Sequence, residues 1–64
     1  MEGWTCIYTS TQFQDIEFIR GILEEQQITA FVVNKKDSVY LFGEIELYVR
    51  VEDAFAANQI IKSI

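Results

Sequence analysis

The stretch Gly43-Glu44-Ile45-Glu46-Leu47-Tyr48-Val49-Arg50-Val51-Glu52-Asp53-Ala54 constrains the fold more than any other part of the chain. Apolar side chains recur at every second position through Ile45, Leu47 and Val49, with Glu44, Glu46 and Arg50 between them. That period belongs to a strand with one face buried and the other wet. At Glu52 and Asp53 the period changes. Ala54, Ala57, Ile60, Ile61 and Ile64 then recur at helical spacing, with Phe55 at the flank. A strand that passes directly into a helix implies a layered α+β domain.

The remaining elements follow from the same patterns. Trp4 to Thr9 is rich in β-branched and aromatic residues and reads as the first strand. A helix is expected from Thr11 to Gln26, with Thr11 as N-cap and Gln14 completing a capping box. Its apolar stripe is Phe13, Ile16, Ile19 and Leu23, widened by Ile22, while Phe18 lies off it. Gly21, inside this helix, reads as a point of close approach to the sheet rather than as a hinge. Ile28 to Val33 forms a second strand, and Asn34-Lys35-Lys36-Asp37-Ser38 is a polar turn. Val39 to Phe42 has two readings: a continued hairpin with Gly43 at a bulge, or a loop tucking Tyr40 or Phe42 under the sheet. Glu44 to Arg50 is the third strand.

The resulting order is β-α-β-β-α in one domain, residues 1–64. A right-handed crossover places the first helix on one face, and the second helix must cover the same face. The third strand then lies between the first two, giving a three-stranded antiparallel sheet of order 1-3-2. This is a ferredoxin-like layout that stops before a fourth strand. The first strand is left as an open edge, which favours pairing with another chain. Its facing has two settings: Trp4, Cys6 and Tyr8 inward, or Ile7 inward. The first buries more apolar area and is the expected one.

Composition excludes several classes of function. Half of the 64 residues are apolar, enough for one small core, and domains of this size often gain further stability by association. Cys6 is the only cysteine, so no internal disulfide forms, and a cytoplasmic setting is expected. No apolar run has the ~20 residues of a membrane span. The net charge of −5 repels a phosphate backbone, so nucleic acid is not an expected partner. The chain has no histidine, and with one cysteine it cannot build a Cys-rich metal site, so no metal or cofactor is expected. With the acid–base inventory this thin, the expected function is non-enzymatic.

Few residues stand out as site candidates. Glu44 and Glu46 read as solubilising side chains on the wet face of a strand, and Cys6 reads as a small buried apolar group. Asn34, Lys35, Lys36 and Ser38 bring two ammonium groups, an amide and a hydroxyl to one turn, suiting an anion or nucleotide. If Ile45, Leu47 and Val49 face the helices, Glu46, Tyr48 and Arg50 face away, and Tyr48 and Arg50 are the candidate interface residues.

Trp-x-x-Ile-Tyr-Thr at 4–9, Leu-Glu-Glu-x-x-Ile-x-Ala at 23–30, Val-Val-Asn-Lys-Lys-Asp-Ser at 32–38 and Gly-Glu-Ile-Glu-Leu-Tyr-Val at 43–49 precede an acidic, Ala-containing helix. This pattern resembles a family of small bacterial domains of unknown function described as putative prokaryotic signal-transducing proteins. The resemblance implies a fold similar to the PII-type nitrogen regulators and a regulatory or binding role. Nucleotide binding does not carry over, because those regulators use a long loop and a fourth strand that this chain lacks. Two functions are therefore expected: a cytoplasmic interaction module that forms a homo-oligomer, such as a dimer, or docks a protein partner; or a small-ligand sensor using the 34–38 turn.

Overall fold

The computed structural model describes residues 2–35 and 43–64. Lys36, Ser38 and the stretch Val39 to Phe42 lie outside those residues, and with them the choice between a hairpin and a tucked loop. The elements are β1 (Trp4–Ser10), α1 (Phe13–Glu25), β2 (Ala30–Asn34), β3 (Ile45–Arg50), a 3-10 turn (Val51–Asp53) and α2 (Ala54–Lys62). β3 pairs antiparallel with β1 on one side and β2 on the other, so the sheet order is 1-3-2, as the sequence pattern predicts.

The core explains why the elements settle this way. Ile45, Leu47 and Val49 are each at most 1% exposed and face Ile16, Ile19 and Leu23 of α1. Ile28, Ala30 and Ala57 complete the cluster, and among the described residues no polar or charged side chain is buried. Both helices therefore cover one face of the sheet, and the β3 alternation decides which. Ile64, expected in the α2 stripe, is instead exposed, and α2 ends before it at Lys62. Phe13, the first residue of α1, is also half exposed.

β1 corrects the expected facing. Cys6 pairs with Tyr48, yet Tyr8 pairs with Leu47, so Ile7 is an extra residue at a bulge. Trp4 and Cys6 share the side of Arg50 and Tyr48, away from the helices, whereas Ile7 and Tyr8 pack against the core. Neither uniform setting of the strand occurs. A bulge resets the two-residue period, which strict alternation cannot foresee.

The ends of α1 also differ from the expected pattern. Gln12, not Thr11, is the N-cap residue, and the capping box does not form. Ser10 takes over: its Oγ accepts from the Gln12 amide at 3.0 Å and donates to Asp15 Oδ2 at 2.9 Å. At the other end, the Ile28 amide donates to the Leu23 carbonyl and the Gln27 amide to the Glu24 carbonyl. This is a Schellman closure, with Leu23 and Ile28 meeting in the core below it. It holds Gln27 at φ 65°, in the left-handed region.

That conformation costs a side chain ~1–2 kcal/mol, and glycine avoids the cost while losing ~0.5–1 kcal/mol in chain entropy. Gln27→Gly is therefore expected to stabilise the fold, by up to about 1 kcal/mol in urea titration. A lower unfolding midpoint would contradict the closure.

Candidate functional site

With the helices on one side, the other side of the sheet is the surface on which side chains of β1, β2 and β3 meet. β3 sends Glu46, Tyr48 and Arg50 there, alternating with the buried Ile45, Leu47 and Val49. Pairing carries the same facing to the neighbours: Trp4 lies opposite Arg50, Cys6 opposite Tyr48, Phe31 opposite Tyr48, and Val33 opposite Glu46. The aromatic rings of the two outer strands are large enough to bridge β3. Trp4 and Phe31 have ring centroids 6.2 Å apart at an interplanar angle of 56°, within the range of favourable tilted pairs. The Arg50 guanidinium carbon lies 5.4 Å from the Trp4 ring centroid, a cation–π contact. Phe31 remains half exposed despite its partner.

A second group sits further along β3. Tyr48 donates its hydroxyl to Glu46 Oε1 at 2.8 Å, and Lys35 Nζ lies 3.3 Å from the same oxygen. The tyrosine bond, with help from Lys35, holds the Glu46 carboxyl below its usual 4.5. The same bond raises the Tyr48 phenol above 10.0, and the Glu46 carboxylate raises Lys35 above 10.5. These directions mark Glu46 as a fixed anion that organises two neighbours.

The stabilising share of Glu46 is thus present above about pH 4.5 and is lost as pH falls through its lowered value. The shares of Tyr48 and Lys35 are present below about pH 10 and are lost as pH rises through their raised values. In thermal unfolding, wild type should exceed Glu46→Gln across the neutral range. The gap should close on the acid side below about pH 4.5. A gap that persists unchanged there would show that the carboxylate charge is not what holds the group together.

The candidate residues from sequence fall into two sets. Tyr48 and Arg50 both lie on the open face. Of the 34–38 turn, Asn34 and Lys35 are described, and alternation separates them: Asn34 pairs with Ile45 on the helix side, while Lys35 reaches Glu46 on the open side. Lys36 and Ser38 lie outside the described residues. Cys6, expected to be buried, is exposed on the open face because the bulge lies just beyond it, and its Sγ is 3.6 Å from the Tyr8 carbonyl.

Trp4 and Phe31 are members of the site that sequence reasoning did not assign. Carrying the β3 facing across to its antiparallel neighbour β2 would have found Phe31, since Ala30 and Val32 take the inner positions. Elsewhere, a shallow groove between α1 and α2 is lined by Ile22, Gln26, Gln59, Ile60, Ser63 and Ile64. Among the described residues no helix is long and apolar enough to cross a membrane, and no group of three metal-ligating side chains occurs.

Residues 4–64 match the model of a family described as putative prokaryotic signal transducing protein. No curated protein and no solved structure matches the chain.

Proposed function

The chain belongs to the putative prokaryotic signal transducing protein family, and on that premise we propose that it works as a non-enzymatic protein-binding module whose docking surface is the open sheet face. The observation that carries this reading is the Trp4–Phe31 bridge with Arg50 over Trp4, on the face the helices leave uncovered. Tryptophan, tyrosine and arginine are the residue types enriched among the side chains that dominate interface energetics, the two aromatic ones because a rigid ring gives up a large surface with little loss of side-chain freedom. A half-exposed phenylalanine beside them adds apolar area that a partner would remove from water.

The polar chemistry of the face suits recognition better than catalysis. A general base works best with its pKa near the working pH, and Glu46 is held in the opposite direction. An anion sensor at the 34–38 turn gains nothing from the described residues, since the Lys35 ammonium already faces a carboxylate and Asn34 points to the other side.

The test compares two pairs of aromatic substitutions in affinity capture from the native cell and in sedimentation of the pure protein. Trp4→Ala with Phe31→Ala should abolish association, while Phe18→Ala with Phe55→Ala, exposed on the helices, should leave it intact. Circular dichroism confirms that each variant is folded. Association that survives the sheet-face pair, or is lost with the helix pair, overturns the assignment of the surface.

A further inference from the structure

We infer that the partner received by this face is a second copy of the chain, packed face to face with the two β3 strands antiparallel. The inference rests on the reading of the face as a docking surface and adds the identity and geometry of the occupant. Its basis is the order of side chains along β3: Glu46, Tyr48 and Arg50 stand at successive open-face positions, an acid and a base flanking an aromatic ring. Consider a two-fold axis between two such faces, perpendicular to β3 and passing over Tyr48. It sets Glu46 of each copy opposite Arg50 of the other, twice, with the tyrosines at the centre. An axis along β3 would instead set Glu46 against Glu46 and Arg50 against Arg50. Like charges directly opposed cost free energy, so the charge pattern selects the antiparallel arrangement.

The reach is right. Four residues of strand span about 13 Å, and packed sheets stand about 10 Å apart. A glutamate and an arginine extended from the two sides therefore meet across that gap. Both described bonds to Glu46 end on Oε1, and Arg50 is exposed while it lies over Trp4. The balance of charge also fits self-association. In a chain of net charge −5, Arg50 and Glu46 stand on this face of β3, and Lys35 reaches Glu46 there, so the charges shown to meet on it are two cations and one anion. The repelling excess lies elsewhere, so the faces can approach without opposing it directly.

Size sets the strength. Three strands at about 4.8 Å spacing and six residues at about 3.3 Å rise outline roughly 300 Å², well short of the roughly 800 Å² per partner of a standard stable interface. The dimer is therefore a weak, concentration-dependent one.

Sedimentation velocity over a wide concentration range tests the geometry through charge exchange. Glu46→Arg alone and Arg50→Glu alone should each weaken self-association about tenfold or more, because each sets like charges opposite one another twice. An equimolar mixture of the two variants should associate again, since every opposed pair is then complementary. The double variant carrying both substitutions in one chain should also recover self-association.

Thermal melts verify that each chain is folded, and should Glu46→Arg fail to fold, Arg50→Glu against the double variant carries the same comparison. If the wild type associates and loses association with Trp4→Ala and Phe31→Ala, but the charge exchange restores nothing, the antiparallel geometry is wrong while the docking face stands. A wild type that stays monomeric at millimolar concentration overturns the second copy as partner. Association unaffected by the aromatic pair overturns the face itself.

Discussion

Leu47→Ala is expected to cost about 3 kcal/mol, within the range of roughly 2–5 kcal/mol seen when a leucine is cut back in a closed core. Leu47 is fully buried at the middle of β3, between Tyr8 and Val32 on the flanking strands and beneath the α1 stripe. A cavity there cannot collapse easily, because strands hold it on both sides and the helix layer closes it from above. A domain of this size has a total stability of roughly 3–10 kcal/mol. The substitution therefore removes a large share, and the melting temperature should fall by roughly 10–25 °C. Phe55→Ala is the comparison: that side chain is 77% exposed on α2, and its removal should change stability by less than about 0.5 kcal/mol. Equal effects from the two changes would mean that the core does not lie between β3 and α1.

Gly21→Ala is expected to act in the opposite direction, stabilising the fold by about 1 kcal/mol, the difference between glycine and alanine inside a helix. The sequence suggests that this glycine permits close approach of α1 to the sheet, which would make alanine disruptive. The geometry overturns that reading: Gly21 is exposed, and a Cβ built on it would meet nothing within 4 Å. Its neighbours Ile19 and Leu23 carry the contact with the core instead. The gain should appear as a rise of about 4–8 °C in melting temperature. A fall would restore the packing explanation.

Gly21 shows where a linear pattern stops being informative. A glycine in a helix is visible in the sequence, but the face it occupies depends on the exact phase of the helix relative to the sheet. α1 and β3 were legible because their apolar positions keep one period from end to end: Ile16, Ile19 and Leu23 in one, Ile45, Leu47 and Val49 in the other. Strand order followed from topology and the need to cover one sheet face. β1 was not legible in the same way, since the bulge at Ile7 changes its facing halfway and no residue type announces it.

The same bulge explains why the site was only partly visible. Tyr48 and Arg50 followed from the β3 alternation, but Trp4 joined them only once the register placed it opposite Arg50. Phe31 required the β2–β3 register. The Thr11 capping box failed for a related reason. The chain ends β1 one residue later than the pattern suggests, so Ser10 rather than Thr11 stands where its hydroxyl reaches both the Gln12 amide and Asp15.

The claim on which the functional reading depends is that the uncovered side of the sheet, and not the helix layer, receives the partner. Backbone amide chemical shifts recorded from dilute to millimolar protein test it residue by residue. The account predicts concentration-dependent shifts at Trp4, Cys6, Phe31, Glu46, Tyr48 and Arg50, with Phe18, Phe55 and Ile64 unmoved. Shifts confined to those helix-layer positions, or none anywhere up to millimolar concentration, would contradict it.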